Sequence, residues 1–188
     1  MRTISFFAAI FVGFALIGGA SFAVEDGLID QTATPREGGM SLEQMSVILE
    51  RLDKELKGES GNWQLTIADI PVIIVTDDRN NRMRILVAIR KADTLTPDEI
   101  TRLMQANFDS ALDARYAVAQ NILWSAFIHP LSTLHDRQFI EAIGQTVNLA
   151  LTYGTSYSSG LLLYGGGDSR GIQQRELIDQ LLKQGQPT

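Results

Sequence analysis

From Asn62 the apolar residues of this chain fall at alternate positions, with Trp63, Leu65 and Ile67 set against Gln64, Thr66 and Ala68. A period of two is the signature of a strand with one buried face. It returns over residues 82–91, where Met83, Ile85, Val87 and Ile89 alternate with Arg82, Arg84, Leu86, Ala88 and Arg90. Between them the β-branched run Val72, Ile73, Ile74, Val75 suits a central strand, punctuated by Asp69 and Pro71 before it. After it, Asp77, Asp78, Arg79, Asn80 and Asn81 make a hairpin loop, because Asp and Asn tolerate the left-handed backbone of tight turns. Strands joined this closely must pair antiparallel, since a parallel pair needs a crossover of roughly a dozen residues. That excludes a parallel, Rossmann-like sheet over this stretch.

Helical spacing flanks the strands. Ser41 and Gln44 form a capping box, and Met45, Ile48, Leu49, Leu52 and Leu56 then predict a first helix lasting to Gly58. Thr96, Pro97, Asp98 and Glu99 start a second helix, whose apolar stripe reads Ile100, Leu103, Met104 and Phe108. Two strands follow at 114–119 and 121–129 with a turn at Gln120 and Asn121, and Pro130 stops the sheet. Thr133 with Asp136 begins a third helix, striped by Phe139, Ile140, Ile143, Val147, Ala150 and Leu151. The expected class is α+β: an antiparallel sheet of about five strands in the order helix, three strands, helix, two strands, helix, with the helices packed on the sheet.

The ends differ in composition. Residues 1–23 carry Arg2, an apolar stretch and a close of small residues, and they read as a secretory signal peptide cut after Ala23. The apolar stretch is shorter than the roughly 20 residues that span a bilayer, so no stable membrane span is expected after cleavage, and a leader of this type implies a periplasmic location. Residues 24–40 read as a flexible linker, 41–153 as the folded domain, and 154–188 as a glycine-rich tail. In that tail Ile172, Leu177, Ile178, Leu181 and Leu182 allow a short closing helix. With 22 acidic against 16 basic residues, the chain lacks the cationic excess that nucleic-acid binding requires. It holds no cysteine, which excludes disulfides, thiolate metal sites and a thiol nucleophile.

Several residues together resemble a known family. The Thr96, Pro97, Asp98, Glu99 helix start, Asn107 and Phe108 at its end, Tyr116 and Val118, then Pro130 and Leu131 leading into Phe139, Ile140, Ile143 and Ala150 are similar to the type III secretion chaperone-like superfamily. This group includes the Tir chaperones and the bacterial sensory-transduction regulators, and the likeness covers residues 41–153. It implies a small α+β module, often a homodimer, that binds an extended or partly folded protein segment without chemistry. The type III chaperones act in the cytosol, whereas the leader sends this chain outward, so the implied partner is an envelope protein.

No catalytic set converges in the sequence. His129 and His135 with Asp136 are too few to force a metal site, and each has a blander place at a strand end and a first helical turn. Ser156 follows Gly154 as in a nucleophile elbow, but Ser158 stands where the second glycine belongs and a helix precedes where a strand is needed. Gly165, Gly166 and Gly167 lack the lysine of a phosphate loop, and the loop from Asp77 to Asn81 lacks the glycine and distal glutamate of a calcium loop. Neither a catalytic residue, a metal nor a cofactor is expected.

The strand over 82–91 offers the candidate site. Arg82, Arg84, Leu86 and Arg90 are expected on one face of it, joined by Ile122 and Trp124 of the last strand. Such a mixed apolar and cationic surface suits a protein partner, or alternatively an apolar or anionic small molecule. Another part of this chain, such as residues 161–164, is the competing cover.

Overall fold

The Ser41 hydroxyl accepts the Gln44 amide at 3.1 Å, and the Gln44 side chain accepts the Ser41 amide at 2.8 Å, so the first helix starts with both halves of its capping box. The computed structural model describes residues 39–160 and 169–186, the side chains of 169–174 excepted, all within one compact unit, Arg36–Thr188. Residues 1–38, 161–168, 187 and 188 lie outside the described residues. Helix α1, Leu42–Leu52, buries Met45, Ile48 and Leu49. It ends well short of Gly58. Asp53 turns to extended backbone, and its carboxylate takes the amides of Glu55 and Thr66, each at 2.8 Å. Such local side-chain bonds draw the backbone out of a helix. The chain then forms β1, Lys57–Glu59, which the apolar period does not reveal because all three residues are exposed.

β2 (Asn62–Ile67), β3 (Ile70–Asp77) and β4 (Arg82–Lys91) follow as a meander. Ser60 with Gly61, Ala68 with Asp69, and Gln120 with Asn121 each turn the chain with two successive positive φ angles. That backbone suits the twist of a two-residue hairpin. Pro71 is the second residue of β3, opposite Thr66, instead of a break ahead of it. The Thr66 amide points away from β3 to Asp53, which makes this a non-hydrogen-bonded pair, so the missing proline N–H costs the β2–β3 ladder no bond. Helix α2 spans Pro97–Asp109 behind a second complete capping box, Thr96 with Glu99. β5 (Arg115–Ala119) and β6 (Ile122–His129) form the last hairpin. Helix α3, Asp136–Leu151, begins after His135, three residues later than Thr133, because a 3₁₀ turn occupies Leu131–Thr133. Helix α4, Ser169–Gly185, closes the described chain.

The fold is α+β. Its sheet has six antiparallel strands, one more than expected, in the order β1-β2-β3-β4-β6-β5, so the later hairpin enters with β6 inside and β5 at the edge. Among the described residues none of the four helices is long and apolar enough to cross a membrane.

The helices are layered on one face of the sheet. Trp63, Leu65, Val72, Ile74, Met83, Ile85, Val87 and Phe127 point into a core shared with Met45 and Leu49 of α1, with Phe139, Ile140, Ile143 and Val147 of α3, and with Leu181 of α4. A second cluster joins Leu103 and Ala106 of α2 to Tyr116, Leu123 and Leu149. The α2 stripe divides there. Leu103 turns inward, while Ile100, Met104 and Phe108 are 46, 54 and 91% exposed, because Ala106 and Asn107, not those three, meet the sheet.

Two details set the edges of this layer. Gly144 lies under α4, where an added Cβ would come within 2.6 Å of Ile178 Cγ1. At the outer strand the Asn107 amide group grips both backbone groups of Tyr116, accepting its N–H at 2.7 Å and donating to its C=O at 3.1 Å. At the start of the described residues, Met40 is buried and its amide donates to the Leu131 carbonyl at 3.0 Å.

Candidate functional site

Residues facing each other across an antiparallel ladder share a sheet face, so the register assigns every strand residue to the helix side or the open side. Arg82 stands opposite Asp77; Arg84 lies between Val75 and Ile128; Leu86 lies between Ile73 and Ala126, with Arg115 beyond on β5. Ala88 faces Trp124, which neighbours Ala117 across β6 and β5, and Ile122 lies between Lys91 and Ala119. All of these fall on the face away from the helices. None of the apolar ones belongs to either core cluster. Ile128 is 57% exposed, and Ile73, Val75, Leu86 and Trp124 are half-buried. Arg82, Arg84, Leu86, Ile122 and Trp124 are therefore brought together on one surface. The Trp124 indole N–H donates to the Ala119 carbonyl at 3.1 Å.

Arg90 departs from this group. A bulge at Ile89 shifts the register, so that Arg90 pairs with the buried Leu123 and emerges on the helix side. There its guanidinium donates to Thr94 Oγ1 at 3.0 Å, to the Tyr153 hydroxyl at 3.1 Å and to Glu99 at 3.4 Å. The Tyr153 hydroxyl also donates to Glu99 at 3.1 Å. Bonds from the Thr96 amide and hydroxyl, then Tyr153, and last the Arg90 charge hold the Glu99 carboxyl below its ordinary range. Burial pushes the Tyr153 phenol up, and the carboxylate beside it adds to the shift. This network fastens β4, α2 and the end of α3 together. It is a clasp between elements rather than part of the open face.

On the β1 side a hollow of about 310 Å³ adjoins the same surface, lined by Lys57, Asn62, Gln64, Ile73 and Val75 among others. Lys57 pairs with Gln64, and Gln64 with Ile73, so it continues the Leu86 row. Sequence reasoning passed over Ile73, Val75 and Arg115. The first two sit in an apolar run with no alternation to say which members face outward, and Arg115 follows an irregular segment whose register only the ladder settles.

The remaining constellations are occupied locally. His129 Nδ1 lies 2.8 Å from the Pro130 carbonyl, its Nε2 lies 3.1 Å from Gln138 Nε2, and its ring stacks on Phe127. His135 is exposed at the cap of α3. No group of three or more His, Asp or Glu among the described residues is placed to hold a metal ion. Ser156 Oγ is buried without a hydrogen-bond partner, so no base activates it. Asp77 accepts the Asn80 amide at 3.0 Å and the Asn80 side chain at 2.7 Å, which lowers its pKa and closes the hairpin loop. Gly165, Gly166 and Gly167 and the apolar run 161–164 are outside the described residues.

No protein-family model matches this chain, and no curated protein matches it in sequence.

Proposed function

We propose that this protein is a non-catalytic, periplasmic protein-binding module, chaperone-like or regulatory, which holds an envelope protein on the open face of its sheet. The observation that carries this reading is a set of apolar residues, Ile73, Val75, Leu86, Trp124 and Ile128, outside both core clusters on one surface. A sheet that buries only one face leaves the other to be covered by something else, and exposed apolar surface rimmed by polar residues marks interaction sites. The periplasm is the compartment that the leader implies. The element order, resembling that of the type III secretion chaperone-like superfamily, supports the same function.

The test is a photo-crosslinking residue placed at Ala88, which is exposed on this face, beside a control at Glu43 on the solvated side of α1. In cells, one dominant protein adduct is expected at Ala88, absent at Glu43 and lost on Arg84→Glu. Absence of any protein adduct at Ala88 sinks the reading.

A second copy of this chain fits α2. Ile100, Met104 and Phe108 are spaced by four residues without a charge between them on that stripe. An antiparallel pair of such helices about a twofold axis at Met104 sets Ile100 against Phe108 of its mate. Phe108→Glu, at a side chain 91% exposed, is expected to convert a dimer to a monomer in sedimentation equilibrium, with the circular dichroism spectrum unchanged. A monomeric parent chain refutes this assembly.

The alternative is a carrier of an apolar or anionic small molecule, for which the hollow beside Lys57 is the observation in favour. It requires a bound ligand in native mass spectra of the purified protein.

A further inference from the structure

Most cations of the open face lie around its apolar residues, and Arg84 stands among them between Val75 and Ile128. Along the Leu86 row, Lys57 stands at the β1 edge and Arg115 at the β5 edge, with Gln64, Ile73, Leu86 and Ala126 between. Arg82 and Arg84 lie toward one end of the strands and Lys91 at the other. This strand face thus carries five cations against two acids, Glu59 and Asp77, in a chain whose formal net charge is −6. Among the described residues none of the five is in an ion pair. Asp77, the acid opposite Arg82, is committed to Asn80 instead. This is the reverse of the molecule's overall charge.

We infer that the occupant of this face is an acidic amphipathic helix of a partner protein, its apolar side on Ile73, Leu86, Ala126 and Trp124 and its carboxylates over the surrounding arginines and lysines. The inference rests on the open-face reading above and names the chemistry of the partner. A helix is the element that covers a sheet face, as α1 and α3 do on the other side. Strand addition at the β5 edge is obstructed at Tyr116, whose backbone groups are both taken by Asn107. The apolar centre supplies contact area, while the rim cations steer the approach and reject basic helices.

The probe is a labelled synthetic helix with Leu along one side and Glu along the other, compared with the same helix carrying Lys in place of Glu, titrated with the purified full chain by fluorescence anisotropy. The Glu helix is expected to bind and to weaken as salt is raised. The Lys helix is expected not to bind. The double variant Arg84→Glu and Arg115→Glu is expected to lose roughly tenfold or more in affinity at unchanged melting temperature, since both side chains are exposed. Equal binding of the two helices, or full affinity in the double variant, overturns the inference. A protein adduct at Ala88 with no binding of the Glu helix removes the acidic partner alone, whereas failure of both experiments removes the binding face with it.

Discussion

Glu99 serves two structures at once. Its carboxylate accepts the Thr96 amide at 2.8 Å to complete the α2 cap, and its other oxygen accepts Tyr153 and lies 3.4 Å from Arg90. Every one of these bonds favours the charged form, so the folded-state pKa is depressed. The stabilisation is therefore fully present above the unfolded carboxyl's pKa and is lost as pH falls through the lowered folded value. Glu99→Gln keeps the capping box, because Gln also reaches the cap amide. It is expected to flatten the acid limb of a melting-temperature profile by lowering the neutral plateau, with variant and parent converging at low pH where Glu99 is protonated. An unchanged acid limb would show that the shift carries no weight in stability. The sequence places Glu99 among the acids of a helix start, with no sign of Arg90 or Tyr153 beside it. Their approach depends on the bulge at Ile89, and a single extra residue leaves no mark in an alternating pattern.

At the scale of elements, legibility followed burial. β2, β4 and α3 were plain because one side of each faces the core and the other does not, so their period survives in the apolar residues. β1 was hidden because it buries nothing, and α1 was overextended because Leu56 continues its spacing after Asp53 has captured two amides. The α2 stripe is apolar as expected, yet of its members only Leu103 is internal, since periodicity reports a face without saying what it meets. The packing of α4 turns on Gly144. Glycine within a helix costs about 1 kcal/mol relative to alanine, so its place in the middle of α3 has a packing reason: close passage of Ile178. Gly144→Ala is expected to lower stability by about 1–3 kcal/mol in urea titration despite its better helix propensity, with amide exchange accelerating first in α4. A stabilised variant would mean that α4 yields without loss.

The described residues form two layers, with helices on one side of the sheet and, among those residues, no element packed on the other. Five of the six strands of this layer and most of the candidate face were legible in the sequence: of the six proposed residues, Arg82, Arg84, Leu86, Ile122 and Trp124 share the face, and only Arg90 does not. What was not legible was the way the face is completed by β3 and β5, since pairing between distant strands is a property of topology. The Asn107 clamp on Tyr116 has a consequence for growth. A strand edge with both groups of a residue already bonded offers no template for another chain, so molecules of this kind can be layered but not lengthened into ribbons. Asn107→Ala should release that edge. Thioflavin-positive aggregation on prolonged incubation at moderate heat is then expected of the variant and not of the parent, and equal behaviour of the two would assign the protection to the shortness of β5. The asparagine, on this account, keeps a stackable tile from becoming a thread.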